Sequence, residues 1–273
     1  MEVKHCFTSI ISRRLLLYLG CHWNTLVFDC GEAEMNLNRS AVLLPALLLV
    51  LACSACVPQL IDSSTADTVP PSEYLATITL PEPRLESGVS IEEALLQRRS
   101  IREYADVPLT LDEVSQLLWA AQGITAEWGS RTAPSAGALY PLEVYLVVGD
   151  VGGLATGVYK YKPEGHELLR ISDLDVREEL AIAAWGQNWV EEGAIDIVIA
   201  AVYERTTKKY GSRGERYVHM EAGHAAQNIY LQAVALDLGM VTVGAFNDKW
   251  VRNLLGMPQN EVPLYVIPVG RKI

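Results

Sequence analysis

The chain has 273 residues, half of them apolar and a fifth charged, a make-up that buries a real core and allows one large domain plus an appendage. Its formal net charge of −11 argues against general nucleic-acid binding, which needs basic surfaces. All five cysteines (Cys6, Cys21, Cys30, Cys53 and Cys56) precede Val57, so the remaining chain holds neither an internal disulfide nor a cysteine-ligated metal.

Residues 36–56 read as an export signal. Arg39 supplies the positive charge, residues 41–52 form a short apolar run, and small residues surround Cys53 and Cys56. The run is too short to cross a bilayer of ~30 Å. Val50-Leu51-Ala52-Cys53 resembles the lipobox of bacterial-type lipoproteins, and Ser54-Ala55-Cys56 offers a second lipidation site. Against this stands an uncleaved hydrophobic stub with a chance pair of cysteines. A lipidated cysteine anchors and does not span, which predicts an exported, membrane-anchored protein; without that signal it is cytoplasmic. Signals start a chain, so Met35 is the expected start and residues 1–34 an extension ahead of it. A twin-arginine signal at Ser12-Arg13-Arg14-Leu15-Leu16-Leu17 competes, but His22 and Asn24 interrupt its apolar run.

Residues 57–87 carry Pro58, Pro70, Pro71, Pro81 and Pro83 among Ser, Thr, Asp and Glu, and read as an extended tether to a domain over 88–273. Ser90-Ile91-Glu92-Glu93 is a capping-box pattern opening a helix that ends near Arg99. Thr110-Leu111-Asp112-Glu113 opens a second, with a buried stripe of Val114, Leu117, Leu118 and Ala121 and Gly123 as its stop. Strands are expected at 143–148, 157–161 and 166–171, with a turn at 162–165. A helix follows at 176–184, then a central strand at 195–202, whose apolar run is nearly unbroken. A long helix at 217–238 stops at Gly239. Strands at 241–245 and 264–269 flank a short helix capped by Asn247. Helices and strands mix without regular alternation, which predicts an α+β fold.

Four clusters carry possible chemistry. Arg98, Arg99, Ser100 and Arg102 suit a phosphate and a polar sugar chain, since guanidinium binds phosphate bidentately. On charge alone the stronger reading is a basic helix C-terminus complementing the macrodipole. Residues 131–141 hold Pro134, Ser135, Ala136 and Gly137, small residues that let backbone approach a flat ligand, or simply an ordinary turn. No G-x-S-x-G elbow marks a serine hydrolase. Val243-Gly244-Ala245-Phe246 is the third cluster, and Arg271-Lys272 is the fourth, by itself a solvated basic tail.

In this order the clusters resemble the nitroreductase family of flavoproteins, over about residues 87–272. The finer resemblance is to SagB-type dehydrogenases, the branch that includes azoline oxidases. It rests on Ala133-Pro134-Ser135-Ala136-Gly137 before Tyr140-Pro141-Leu142-Glu143, on Glu221-Ala222-Gly223-His224 with Gln227-Asn228, and on Val243-Gly244-Ala245-Phe246. The resemblance implies a mixed sheet flanked by helices and a homodimer with FMN at the subunit interface. It assigns Arg98, Arg99, Ser100 and Arg102 to the ribityl-phosphate and the polar flavin edge, and Pro134, Ser135 and Ala136 to the partner's flavin. Gly244 and Ala245 would lie along the isoalloxazine, with Arg271 and Lys272 on the phosphate. Azoline oxidases use a Lys-Tyr pair to help remove a proton, which points to Lys209 and Tyr210 as catalytic residues. Arg205, Lys208, Arg213 and Arg216 are cations able to tune that lysine, and a solvated basic loop is the equal alternative.

Apart from the resemblance, Ala222, Gly223, Ala225, Ala226, Ala233 and Ala235 crowd the long helix with small residues, which suits either a dimer interface or a core helix. His219 and His224, five apart, do not share a helix face, so no metal is expected. Two functions compete. The first is an FMN-dependent oxidoreductase, either an azoline-type dehydrogenase with a peptide-derived substrate or a nitro- or quinone-type reductase. Without a G-x-G-x-x-G element, NADH or NADPH would bind it only transiently as electron donor. The second is a lipid-anchored protein that binds a solute or flavin without turnover.

Overall fold

The computed structural model describes residues 74–273. The export segment, all five cysteines and most of the expected tether lie outside the described residues. The elements begin with β1 (Ala76–Thr79), α1 (Ile91–Gln97), β2 (Tyr104–Ala105), β3 (Leu109–Thr110) and α2 (Leu111–Gln122). A 3-10 turn (Ala136–Ala138) leads to β4 (Leu142–Val148), β5 (Val151–Gly152), β6 (Gly157–Lys162), β7 (Glu167–Ser172), α3 (Arg177–Ala183) and α4 (Asn188–Glu192). Then come β8 (Ile195–Ala201), α5 (Glu204–Tyr210), α6 (Arg213–Ala235), β9 (Leu238–Met240), α7 (Asp248–Leu254) and β10 (Val262–Lys272).

The fold is α+β, as expected. An eight-stranded sheet runs β1-β7-β6-β4-β8-β10-β2, with β9 also on β10. Its pairings are antiparallel, and the parallel component is the separate β3–β5 pair. Alternation along the central strands supplies two apolar faces. Val144, Leu146, Ile195, Ile197, Ile199 and Ile267 face α2 and α6, packing on Leu117, Leu118, Ala225 and Ile229. Tyr145, Val147, Val198, Ala200 and Val266 face α3, α4 and α7, packing on Leu180, Val190, Val251 and Leu255. Burial on both sides is why β8 reads as an unbroken apolar run.

Local signals explain the helix starts. Thr110 Oγ1 accepts from the Glu113 amide (3.3 Å) while Glu113 Oε2 accepts from the Thr110 amide (2.8 Å), a complete capping box. Thr110→Ala is expected to cost about 1 kcal/mol and to lower the midpoint of a thermal melt by a few degrees. Ser90 caps α1 through the Glu93 amide (3.1 Å), but Glu93 spends its carboxylate on Gln97 (2.7 Å), so that box is half formed. Asn247 caps α7 through the Trp250 amide (2.9 Å). Gly123 does end α2, though not through a left-handed turn: its φ is −60°, and a Cβ there would lie 2.1 Å from the Trp119 ring.

Several expectations need correction. The domain begins before residue 88. β1 pairs with β7 from Ala76↔Arg170 to Thr79↔Glu167, Leu80 is buried, and the Arg84 amide donates to Gln116 (2.8 Å). A proline-bearing segment is tolerated there because β1 lies at the sheet edge. The long helix runs four residues earlier and ends at Ala235, and the strand expected at 241–245 is displaced to β9, with a single bridge at Val243↔Val266. Pairing to β10 outweighs local apolarity here, and Gly239 leaves room for Ile101 instead of stopping a helix; a Cβ would meet Ile101 at 2.8 Å. Ala222, Ala225, Ala226 and Ala233 are buried within the subunit's own core, so they give a dimer no independent support. Finally, α4 and α5 are helices where the sequence pattern predicts none.

Candidate functional site

The first cluster forms where the chain leaves α1. The Ile101 amide donates to the Met240 carbonyl (2.9 Å), fixing the segment against β9. Ser100 Oγ and Tyr230 Oη are hydrogen-bonded at 3.0 Å, and the Arg98 guanidinium lies over the Tyr230 ring, 5.1 Å from its centre. Tyr230 Oη in turn accepts from the Thr242 amide (3.1 Å). Arg102 lies over the Trp189 ring at 5.3 Å. Arg99 fulfils the bland reading, donating to the Leu96 and Arg98 carbonyls (3.0 and 2.7 Å).

None of Arg98, Arg99 and Arg102 pairs with a carboxylate among the described residues, although six other cations do. Uncompensated guanidinium groups on aromatic platforms suit a bound anion. Beside them, past the Val243 bridge, Gly244 and Ala245 expose their backbone. A Cβ on Gly244 would meet only the edge of Tyr265, at 3.9 Å. Gln187 Nε2 donates to the Ala245 carbonyl (3.0 Å) and fixes that segment.

The terminal cations behave differently from expectation. Arg271 forks onto Glu113 (2.7 and 2.8 Å), and Lys272 pairs with Asp237 (3.0 Å). Asp237 is 89% exposed, so the Lys272 bridge is worth at most about 1 kcal/mol and can be given up to a ligand. Arg271 is held bidentately by a carboxylate only 14% exposed, and is first a clamp between β10 and the α2 cap.

The second cluster surrounds the turn with Pro134, Ser135 and Ala136. Gly137, Ala138 and Tyr140 have φ of 67°, 53° and 44°. Ser135 Oγ accepts from the Tyr140 amide (2.9 Å), Arg205 Nη1 donates to the Tyr140 carbonyl (3.0 Å), and Arg131 lies over the Tyr140 ring at 4.6 Å. Lys209 and Tyr210, in the last turn of α5, converge on this loop. A Cβ on Gly137 would lie 2.9 Å from Lys209 Nζ and 2.7 Å from Tyr210 Oη and would push both groups aside, and its φ of 67° favours glycine as well. The Tyr210 ring packs edge-on against Tyr217 at 5.2 Å. Beneath the turn, Glu221 of α6 is 2% exposed, and burial pushes its carboxyl up to about 7 despite the Ser135 hydroxyl and Arg131.

Helix α6 carries both clusters, anchoring one at Tyr230 and the other at Glu221. Nine residues separate these, about 13 Å along the helix. A cleft of about 410 Å³ opens beside the second cluster, lined by Arg131, Tyr140, Glu143, Lys162, Glu164 and Arg205. His219 bonds Tyr203 (2.5 Å) and His224 is exposed. The sequence reading missed Tyr230 and Trp189 as platforms and gave Glu221 no role. A single acid amid Ala222, Ala225 and Ala226 was the available signal for Glu221.

Comparison with known proteins shows the family. The nitroreductase family profile matches residues 95–271. A nitroreductase-named protein of Methanocaldococcus jannaschii is 53% identical over 197 residues, covering 72% of this chain and 98% of that protein. A nitroreductase-titled crystal structure from Ralstonia eutropha superposes with a TM-score of 0.64 at 31% identity, over 72% of this chain and 90% of that one. More distant are the NADPH-flavin oxidoreductase of Vibrio harveyi (27% identity; 65% of this chain, 64% of that protein) and the microcin B17-processing protein of Escherichia coli (28%; 50% and 52%). With flavin oxidoreductases among its relatives and the family profile spanning most of the described domain, the chain belongs to the nitroreductase family.

Proposed function

We propose that the domain is an FMN-dependent oxidoreductase working as a homodimer, with the first cluster of one subunit and the 134–136 turn of its partner completing each site. FMN is the cofactor used in the family, with NADH or NADPH as electron donor. The observation that carries the proposal is the set of guanidinium groups without counter-ions beside exposed backbone at Gly244–Ala245. These residues fit the cofactor. Arg98, Arg102 and Ser100 suit its phosphate and hydroxyls, with Lys272 in reserve, and the 244–245 backbone suits a flat ring.

Bound there, the flavin supplies hydride transfer through N5. The chain's own residues supply the rest. Lys209 and Tyr210 meet at Gly137, in the loop offered across the interface, where a substrate proton can be held or removed. That placement favours azoline-type dehydrogenation, the SagB-type reading, over simple nitro or quinone reduction, which needs no paired base. The export reading draws on residues 36–56, outside the described residues; no helix among the described residues is long and apolar enough to cross a membrane.

The purified protein is expected to show a flavin spectrum that bleaches with NADH or NADPH. Lys209→Ala and Tyr210→Phe are expected to keep the flavin and bleaching but to slow azoline dehydrogenation at least about a hundredfold. Unchanged turnover in both variants ends the Lys-Tyr assignment. A colourless protein that FMN does not reconstitute ends the oxidoreductase reading and leaves a binding lipoprotein.

A further inference from the structure

The turn above Glu221 is strained. Gly137 accepts a positive φ freely, but Ala138 (53°) and Tyr140 (44°) do not, because their Cβ atoms crowd the backbone there. Two such residues within three positions persist only where neighbours hold them. Ser135 is the hub of that support. Its carbonyl accepts from the Ala138 amide (3.1 Å) and its hydroxyl oxygen from the Tyr140 amide (2.9 Å). The hydroxyl proton needs an acceptor of its own, and the Glu221 carboxyl is the group against it. Glu221 is nearly fully buried, and its Oε1 has no hydrogen-bond partner among the described residues.

We propose that Glu221 is a positioning residue for the 133–141 loop, acting through Ser135. Ionised, it accepts the Ser135 proton and leaves the Ser135 oxygen free for the Tyr140 amide. Protonated, it is no longer a charged acceptor, so the Ser135 proton loses its strong partner. The serine oxygen then becomes a poorer acceptor for the Tyr140 amide, and the turn that seats Gly137 beneath Lys209 and Tyr210 loosens. The flavin-enzyme reading above gives the loop its importance, but the switch itself belongs to the chain alone.

Burial sets where the exchange occurs. It raises the Glu221 carboxyl to about 7, and the nearby Ser135 hydroxyl and Arg131 offset this only in part. Of the charged groups around α6, Arg131 is the one that acts on the Glu221 carboxyl. Arg205, Lys208, Lys209 and Tyr210 lie on α5, Asp112 and Glu113 at the start of α2, Glu92 and Glu93 on α1, Glu143 on β4, and Arg271 and Lys272 at the end of β10. On α6 itself, Tyr217 and His224 are each about one turn away. Arg131 is the cation that favours the carboxylate, while Gln122, through its bond to Arg131 (3.0 Å), fixes that guanidinium.

The Tyr140 amide resonance tests this in the protein without added flavin. In wild type it is expected to shift in a single step with its midpoint near pH 7, toward a more strongly bonded amide at the higher pH. Glu221→Gln should abolish the step, and Ser135→Ala should uncouple the amide from a carboxyl that still titrates. If either variant fails to fold, the other carries the test. A wild-type amide that is flat between pH 6 and 8, or a step that survives in both variants, overturns the proposal. Turnover with NADPH, measured in parallel, separates the two readings. A titrating amide in a protein that never binds FMN sinks only the flavin enzyme. Active enzyme with a flat amide sinks only the Glu221 role.

Discussion

Replacing Arg98 and Arg102 together by alanine is expected to weaken FMN binding by about a hundredfold or more while leaving the melting temperature nearly unchanged. Each guanidinium lies over an aromatic ring without a carboxylate, so its charge is uncommitted in the free protein. A charge-assisted hydrogen bond is worth about 1.5–3 kcal/mol, and two such losses already exceed a hundredfold in Kd. Arg99→Ala should cost less, because that side chain already serves the end of α1. Arg271→Ala makes the contrast sharp: releasing Glu113 should lower stability as well as affinity, since the same carboxylate closes the capping box of α2. Titration of flavin fluorescence alongside thermal melts reads both quantities. Wild-type affinity in the double variant would remove the first cluster from the site.

The second large effect is expected at Asp196, the second residue of β8. It is fully buried on the α3–α4–α7 face, and neither carboxyl oxygen has a hydrogen-bond partner among the described residues. Its nearest cation, Arg177, spends its bonds on Asp175 (2.7 Å) and the Gly193 carbonyl (2.9 Å). Burial holds the Asp196 carboxyl well above its ordinary 3.8, with Arg177 opposing the shift. The folded protein therefore binds this proton more tightly than the unfolded chain does. That contribution to stability is fully present below pH 3.8 and is lost as pH rises toward the folded-state value. Asp196→Val, matching the strand's branched neighbours, should remove the loss and stabilise the protein at pH 8 by about 2 kcal/mol. Denaturant melts at pH 5 and pH 8 measure it. A variant less stable than wild type at both would show that the carboxyl does structural work.

The legible parts of this protein are those whose cause lies within a few residues. Thr110 and Glu113 announce α2, Asn247 announces α7, and the two-faced burial of β8 is written in its unbroken apolar run. The order of short motifs, from Arg98 to Gly244, was enough to point to the family. Contacts between distant residues left no such mark. Ser100 meets Tyr230 across 130 positions, and Arg271 meets Glu113 across 158. β1 hid in a proline-rich stretch because an edge strand needs only one partner, which β7 provides. α5 hid among its lysines because its helical register is set by packing on α6. By itself, then, the sequence determined the helix caps, the buried strands and the family motifs, since propensity, alternation and capping act between near neighbours. Only the tertiary structure decided which cations stay uncommitted, where Lys209 and Tyr210 meet the loop, and that Glu221 lies buried beneath Ser135. Charge compensation and desolvation depend on what the fold brings together.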